Sequence, residues 1–292
     1  MSLPRLIEGE PLPIGIHRLV PMEQYLAMDA LGSSQLSWLA TSPKYYQWMR
    51  SQPREETEAT SLGTAVHTAV LEPEVFEQRY VAEPNPDDVA PNNTNKRATK
   101  AYKDAVAALE ARTGAIVLKR DTIEKVRAMA AAVHAHPHAA KLLAKAPERE
   151  LTLLWDRDGR LCRGRADFLG PGVAGDLKTT RSLERFSPFE LTRFRYYVQA
   201  AWYRDGLSRL DREVQHYFLV AVESVAPYDV GVFALDSDAL TFGEMEFEVM
   251  CRRLEECEAS GEWPGQFPEV QVARVTDQLT AELLGDPEKE VA

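Results

Sequence analysis

The spacing of hydrophobic and polar positions changes near residue 150 and divides the chain into two differently patterned parts. Before this point apolar residues recur every three or four positions, which is typical of amphipathic helices. After it, short apolar runs that predict strands alternate with helical patterns. We predict helices over Met22–Met28, Gln35–Ala40, Pro43–Arg50, Ser61–Leu71, 99–112, 119–134, 138–146, Phe186–Leu207 and 238–259. We predict strands over Glu150–Trp155, Leu161–Leu169, Val173–Lys178, Val214–Val222 and Val230–Leu235. This order predicts an α/β fold with a central mixed β-sheet flanked by helices and a helical N-terminal elaboration.

The distribution of proline, glycine and charge predicts one main domain with two irregular ends. Residues 1–20 are rich in proline and glycine and are expected to form an extended arm. Residues 21–265 are expected to form a single domain, and residues 266–292 a C-terminal tail. Within the domain, residues 51–60 are predicted to be a charged loop, and the segment 84–99, rich in proline and asparagine, a mobile loop.

Composition narrows the class of protein. The 292 residues are 45% hydrophobic, enough for a large core, yet no apolar run approaches the roughly 18 residues of a membrane span. The N-terminus lacks the apolar region of a secretory signal, and the three cysteines (Cys162, Cys251, Cys257) are odd in number, so we expect a reduced cytoplasmic protein without membrane attachment. The net charge of −11 argues against non-specific coating of nucleic acid, but it does not exclude an enzyme whose own acidic site is neutralised by metal ions. Nucleotide-binding glycine loops and the Gly-x-Ser-x-Gly elbow of hydrolases are absent.

Asp167 and Asp176 lie on two neighbouring predicted strands that a glycine-proline turn joins. Side chains at alternate strand positions point to the same face, so Asp176 and Lys178 emerge together, and a hairpin can bring Asp167 alongside them. Two carboxylates and an ammonium are costly to bury as core, because each charge loses its water. We therefore interpret the group as a hard-metal site with a lysine near the reacting water. Asp176-Leu177-Lys178 is also a common surface triplet, and that alternative stays open.

Two helical segments add further candidates. His67 lies among small residues in a predicted helix, and its neutral imidazole is a competent metal ligand, although a lone helical histidine is more often structural. Gln199 and Tyr203 are four positions apart and share one helix face, with Tyr196 nearby. The alternative for this face is an aromatic stripe packed in the core.

Together these segments resemble the PD-(D/E)xK nuclease superfamily, and within it the branch of RecE-type exonuclease, lambda-type exonuclease and the RecB nuclease domain. The likeness runs in order through Ser33-Ser34-Gln35-Leu36, Ser42-Pro43, Gly63-Thr64-Ala65-Val66-His67, Leu71-Glu72-Pro73, Glu150, Arg165-Ala166-Asp167, Asp176-Leu177-Lys178-Thr179-Thr180 and Tyr196 to Tyr203. It is strongest to the RecE-type exonuclease domain. One departure is Asp176, where the superfamily often has glutamate. The resemblance implies a restriction-endonuclease-like α/β fold.

The resemblance also implies roles for single residues. His67, Asp167, Asp176 and the carbonyl of Leu177 would hold Mg²⁺, with Mn²⁺ able to substitute, and Lys178 would orient or deprotonate the attacking water. Gln199 would position the water or the lysine, and Tyr203 would support the phosphate or its helix. Glu150 would bind a second ion through water or hold the sheet edge. Residues expected to contact DNA are Ser34, Lys44, Arg50, Lys96, Arg97 and Lys100; a solvated surface is the alternative for all six.

The function implied is degradation of linear double-stranded DNA from the 5′ end, without ATP, in recombination or repair. The implied partners are DNA ends, a single-strand annealing recombinase and further copies of the chain in a homo-oligomeric ring. Three alternatives stay open: an endonuclease or single-strand-specific nuclease on the same fold, a non-catalytic DNA-binding module, and a hydrolase of small phosphate esters.

Overall fold

The computed structural model describes residues 12–52 and 58–271, without the side chains of residues 58–60 and 188. The helices are α1 Met22–Ala27, α2 Ser33–Thr41, α3 Pro43–Ser51, α4 Glu58–Leu71, α5 Pro73–Arg79, α6 Pro86–Val89, α7 Lys100–Thr113, α8 Arg120–Ala135, α9 Pro137–Lys145, α10 Leu183–Arg185, α11 Leu191–Arg193, α12 Tyr196–Arg209 and α13 Ser237–Ser260. The strands are β1 Gly15–His17, β2 Leu31–Gly32, β3 Tyr80–Ala82, β4 Ile116–Leu118, β5 Glu148–Arg157, β6 Arg160–Gly170, β7 Gly172–Thr180, β8 Val214–Glu223 and β9 Val230–Leu235.

The main sheet has seven strands in the order β1-β5-β6-β7-β8-β9, with β2 added beside β6. Neighbours are antiparallel except for β7 with β8 and β2 with β6, which are parallel. The parallel step from β7 to β8 passes through α12, as a parallel pair requires a crossover connection. The predicted mixed sheet with flanking helices is therefore confirmed. A separate pair of parallel strands, β3 and β4, lies outside it.

The hairpin between β6 and β7 forms where the sequence predicts it. Gly170, Pro171 and Gly172 make the turn, and Gly172 has a φ of +72°, which a residue with a side chain adopts only with strain. Neighbouring residues also determine where a helix begins. At the start of α3 the Ser42 hydroxyl accepts a 3.0 Å hydrogen bond from the Tyr45 backbone N–H.

Two hydrophobic cores cover the two faces of the main sheet. The first core packs α2, α12 and α13 against the sheet and contains Trp155 and Trp202, whose ring centroids are 5.1 Å apart. The second packs α4, α8 and α9 on the other face and contains Val126 and Phe168, both fully buried. Each large buried side chain contributes about 1.5–3 kcal/mol, so the two cores hold the strands between them rigidly.

The structure corrects several sequence-based boundaries. The predicted helix over 186–207 is interrupted: a π-helical turn spans Phe186–Glu190, and Arg195, with a φ of +52°, separates it from α12. Residues 84–99, predicted to be a mobile loop, contain the short helix α6 and a 3₁₀ turn at Lys96–Ala98, and their mobility stays a prediction.

The ends of the predicted domain also differ from expectation. The arm predicted for residues 1–20 contains β1, which pairs with β5, and residues 1–11 lie outside the described residues. The loop predicted for residues 51–60 contains the start of α4, and residues 53–57 are outside the described part. Of the tail, only residues 266–271 are described, without helix or strand. Within the described ranges, no helix combines the length and hydrophobicity needed to cross a lipid bilayer.

Candidate active site

The candidate site lies beside a stretch of β6 that is uncovered on one edge. Along its other edge β6 pairs with β5. On the edge that faces the candidate site, β2 pairs with Cys162 and Arg163 of β6, and β7 pairs with β6 from Phe168 onward. In the part of the chain that the structure describes, no strand therefore covers residues 164–167 on this side. The gap leaves room for side chains, and Asp167 lies at its end.

The regular alternation of β6 side chains between the two faces of the sheet is interrupted between Ala166 and Phe168. Ala166 packs in the first core, whereas Phe168, two positions later, packs in the second, although alternate residues of a regular strand share one face. On β5, Glu150 lies between Arg149, which pairs with Phe168, and Leu151, which pairs with Ala166. The φ of Glu150 is +49°, which is unusual for a residue with a side chain. Such conformations cost about 1–3 kcal/mol and persist where the surrounding structure imposes them. This interruption places the carboxylates of Glu150 and Asp167 at the boundary between the two hydrophobic cores.

The Asp167 carboxylate is 6% exposed and lies among other acids. The backbone N–H of Leu177 donates a 2.6 Å hydrogen bond to its Oδ2, which ties β7 to β6 beyond their last paired residues. Burial, followed by the nearby carboxylates of Asp176 and Glu150, raises the pKa of Asp167 well above its usual range. A cation bound here would offset that accumulation of negative charge.

Asp176 is held on the other side of the same gap. It is 1% exposed, and the Tyr217 hydroxyl of β8 donates a hydrogen bond to its Oδ2. Burial, then the Asp176 charge, raises the pKa of Tyr217 well above its usual range, so the phenol stays a donor. The second oxygen, Oδ1, lies 3.6 Å from Nζ of Lys178. Asp176 and Lys178 thus emerge on one face of β7, as predicted.

A chain of hydrogen bonds holds the Lys178 ammonium toward the gap. Nζ donates to Oε1 of Gln199 at 2.9 Å, and Gln199 Nε2 donates to the Tyr203 hydroxyl at 3.1 Å. Nζ also lies 4.8 Å from the centre of the Tyr196 ring, a cation–π distance. Gly164 makes room for this arrangement, because a Cβ there would come within 2.8 Å of the Tyr203 ring. The structure therefore brings these predicted residues of β7 and α12 together.

His67 reaches the site from α4, on the opposite face of the sheet. Its Nδ1 lies 3.4 Å from Asp167 Oδ2, and 27% of its side chain is open to solvent. Desolvation lowers the pKa of His67 to about 4. The negative charge of Glu150 acts to raise this pKa, and the positive charge of Lys178 acts to lower it further. The ring is consequently neutral near pH 7 and keeps a nitrogen lone pair for a metal ion.

Among the described residues, three side chains form a group that could hold a metal ion. Ligand atoms of His67, Glu150 and Asp167 all lie within 4.8 Å of one another. Asp176, expected as a ligand, is outside this group, whereas Glu150, expected only to bind through water or hold the sheet edge, is inside it. Two carboxylates with one imidazole suit Mg²⁺ and Mn²⁺. Leu177 contacts the group through its backbone, as the donor to Asp167 and in a hydrogen bond with His67.

Two residues that support the site, Arg165 and Tyr217, have no role in the predictions from the sequence. Arg165 donates a 2.8 Å hydrogen bond from Nε to Glu150 Oε2 and a 2.9 Å hydrogen bond from Nη1 to the Val20 carbonyl, so it fixes Glu150 against the N-terminal segment. Tyr217 orients Asp176 from β8. A tyrosine directly before the apolar run Phe218–Val222 of β8 was the available signal for the second, while the partner of Arg165 depends on strand register.

The six residues expected to contact DNA are not gathered at the site by any described contact. Ser34, Lys44 and Lys100 are exposed. The other three form ion pairs: Arg50 with Asp29 at 3.3 Å, Lys96 with Asp87, and Arg97 with Glu83. These pairs engage Lys96 and Arg97 with protein carboxylates, and a role in DNA binding stays a prediction for all six.

The open edge of β6 with paired aspartates, a lysine two residues after the second, and a crossover helix carrying glutamine defines the PD-(D/E)xK nuclease fold. Residues 32–276 match the family described as "PDDEXK-like domain of unknown function (DUF3799)". The chain belongs to this family. The predicted superfamily is thereby confirmed, while the finer likeness to RecE-type exonuclease stays a prediction.

One similar solved structure supports the fold. The chain is similar to the crystal structure of a "Putative exonuclease" from Eubacterium rectale, with a TM-score of 0.58 and 12% identity over 91% of this chain and 100% of that chain. At this identity the likeness shows a common fold. A second structure, SSO0001, has a TM-score of 0.26 and 14% identity over 63% of this chain and 84% of that chain, too low to bear on the fold. No curated protein matches the sequence.

Proposed function

We propose that this protein is a metal-dependent deoxyribonuclease that removes nucleotides from the ends of linear double-stranded DNA. The observation that carries the proposal is the placement of Lys178 beside the metal-binding group. Its Nζ lies 3.6 Å from Asp176 and 2.9 Å from Gln199, and its charge acts on His67 and Asp167 of the metal-binding group, lowering the pKa of each. A cation site next to a positioned amine matches what hydrolysis of a phosphodiester needs.

The position of each side chain in the site indicates its role in hydrolysis. His67, Glu150 and Asp167 would hold Mg²⁺ or Mn²⁺, with Asp176 completing the negative charge of the site. When bound, such an ion polarises the phosphate and lowers the pKa of its water. The Lys178 ammonium then donates a hydrogen bond to the attacking water or to a phosphate oxygen and offsets the charge that develops there. Gln199 keeps Nζ in place, and Tyr203 keeps Gln199 in place.

The choice of an exonuclease is supported by the similar fold of the Eubacterium rectale protein, which is described as a "Putative exonuclease". We further propose 5′-to-3′ polarity, no need for ATP, and a role in recombination or repair beside a single-strand annealing protein. A homo-oligomeric ring would reconcile the net charge of −11 with DNA binding, if acidic residues face outward and basic residues line the channel. A reducing, cytoplasmic location fits the three buried free cysteines.

An endonuclease or a single-strand-specific nuclease would use the same side chains, because the metal site and Lys178 act on any phosphodiester. A non-catalytic DNA-binding module would have no use for the ordered Lys178–Gln199–Tyr203 chain, and its retention favours catalysis.

The test is digestion of labelled duplex DNA by the wild-type protein with Mg²⁺ and with EDTA. The proposal predicts that linear duplex is shortened from its 5′-labelled end only when Mg²⁺ is present, and that closed circular duplex stays intact. Cleavage of the closed circle at a similar rate would identify an endonuclease. No cleavage of duplex or single-stranded DNA with Mg²⁺ or Mn²⁺ would contradict the proposed nuclease function.

A further inference from the structure

The connection between β7 and α12, residues 181–195, exposes two aromatic rings. Phe189 is 61% exposed and Phe194 is 50% exposed. Phenylalanine is among the residues most often fully buried, and burying either ring would contribute about 1.5–3 kcal/mol. Two such rings within one short connection therefore indicate a surface that binds something.

A guanidinium group lies over each ring. The Arg185 Cζ is 5.9 Å from the centre of Phe189, and the Arg193 Cζ is 5.5 Å from the centre of Phe194. Within the described part of the chain neither arginine forms an ion pair, so both charges are available to a ligand. The pairing of a flat apolar ring with an available cation suits a ligand that is itself flat and anionic.

The charge of this connection is opposite to that of the protein. It contains four arginines against the two acids Glu184 and Glu190, in a chain whose net charge is −11. One of the four, Arg195, is bound to Glu246 of α13 at 2.7 Å, and the remaining three are exposed. The connection is thus a local basic patch.

Ring contacts link this patch to the catalytic lysine. The Phe194 ring lies 5.6 Å from Tyr196, and Tyr196 lies 4.8 Å from Lys178 Nζ. The buried ring of Phe186 stacks on Tyr196 at 5.8 Å and contacts Phe233 of β9 at 4.9 Å, which anchors the connection to the first core. Phe194 is therefore held one ring away from the Lys178 ammonium.

We propose that this connection binds single-stranded nucleic acid, with one base stacked on Phe194 and the adjacent phosphates paired with Arg193 and Arg185. Every base has a face that can stack on an aromatic ring, and arginine adds the backbone contact. The strand that enters the site would thus be unpaired next to the scissile phosphate. This inference rests on the proposed nuclease function and adds the state of the substrate strand.

A second exposed apolar patch on the protein lacks these features. On α13, Phe242, Met245 and Val249 are 62%, 59% and 58% exposed, and among the described residues no cation lies over Phe242. Phe242 therefore offers a control: a phenylalanine ring that is also at least half exposed, outside the basic connection.

The first test is binding of a fluorescein-labelled single-stranded oligonucleotide of about 12 nucleotides, measured by anisotropy in EDTA so that no hydrolysis occurs. We expect Phe194→Ala to weaken binding about 5- to 150-fold, Phe194→Trp to retain it, and Phe242→Ala to change it less than about twofold. Equal affinity of wild type and Phe194→Ala would overturn the inference. So would a Phe194→Ala protein that binds normally but changes its assembly state in light scattering, because the ring would then be a subunit contact.

The second test replaces single nucleotides of the oligonucleotide by abasic sites. If a base stacks on Phe194, one abasic position weakens binding to the wild type and has no further effect on Phe194→Ala. An identical abasic profile for the two proteins would contradict stacking.

The two proposals can fail separately. Wild-type protein that binds through Phe194 in EDTA but cleaves no DNA with Mg²⁺ or Mn²⁺ would support this inference and reject the nuclease. Wild-type protein that cleaves DNA, with Phe194→Ala equal to it in binding and abasic profile, would reject this inference alone.

Discussion

The backbone N–H of Leu177 donates a 2.6 Å hydrogen bond to Oδ2 of Asp167, at the point where β6 and β7 stop pairing. A side chain thus takes the place of the strand partner that the separation of the two strands removes. The bond fixes Asp167 toward His67 and Glu150. The same irregularity that opens the sheet therefore also orients the acid that we assign to the metal.

Asp167→Asn tests that assignment without changing side-chain shape. Its amide oxygen can still accept the Leu177 hydrogen bond, but the negative charge is lost. We expect Mn²⁺ affinity, measured by isothermal titration calorimetry, to fall at least about tenfold, with circular dichroism unchanged. Asp104→Asn, an exposed change on α7, is the control. Unaltered Mn²⁺ affinity in Asp167→Asn would remove this residue from the metal site.

Gln199 is expected to act by positioning Lys178. In Gln199→Ala the ammonium loses the acceptor at 2.9 Å, so kcat should fall about 10- to 100-fold while KM changes little. Gln199→Glu keeps an acceptor oxygen and should retain more activity than Gln199→Ala. Gln47→Ala, exposed on α3, should match the wild type. An effect confined to KM, or an equal loss in both Gln199 variants, would contradict the positioning role.

Gly164→Ala is expected to destabilise the fold at the site. The new Cβ would meet the Tyr203 ring at 2.8 Å, and overpacking of this kind costs about 1–3 kcal/mol in the free energy of unfolding. Gly63→Ala in α4 is the contrasting variant, because its Cβ would meet only Thr179 at an ordinary 3.7 Å and alanine favours the helix by up to about 1 kcal/mol. Urea denaturation should separate the two variants in this order. A Gly164→Ala protein as stable as the wild type would show that Tyr203 moves freely.

Glu83 is expected to make stability sensitive to acid. Its buried carboxylate accepts hydrogen bonds from Arg97 and Tyr102, and the Arg97 bond is the main reason that its pKa falls from 4.5 to about 2. A carboxyl group with a lowered folded-state pKa stabilises the protein above its unfolded pKa, and this contribution is lost as the pH falls from about 4.5 through about 2. Because Arg97 is half exposed and screened by solvent, we expect this contribution to be at most about 1 kcal/mol.

The measurement is the free energy of urea unfolding at pH 7 and at about pH 3. Wild type should lose more stability than Glu83→Gln between these values, since the glutamine cannot titrate. The exposed Glu110→Gln variant should behave as the wild type does. A Glu83→Gln protein with the same acid sensitivity as the wild type would disprove the linkage.

Much of the fold was predictable because its determinants are local. The β6–β7 hairpin follows from apolar runs around Gly170-Pro171-Gly172, and α8 and α13 follow from their apolar periodicity. The grouping of Asp176 with Lys178 depends only on alternation along β7, and that of Gln199 with Tyr203 only on the helix repeat.

The features that sequence reasoning missed depend on distant partners. β1 and β2 are three and two residues long, and they are strands only because β5 and β6 pair with them. Glu150 joins His67 and Asp167 because of strand register and a left-handed backbone that no local pattern indicates. The break at Arg195 in the predicted helix is likewise imposed by its surroundings, among them the ion pair with Glu246.

The most direct test of the central claim is Mg²⁺-dependent digestion of end-labelled linear duplex by Lys178→Ala beside the wild type. Lys103→Ala removes an exposed lysine of α7 and serves as the charge-matched control, and circular dichroism verifies that all three proteins are folded. The account predicts digestion by the wild type and Lys103→Ala, and a rate at least about 100-fold lower for Lys178→Ala. Digestion by folded Lys178→Ala at the wild-type rate would contradict it.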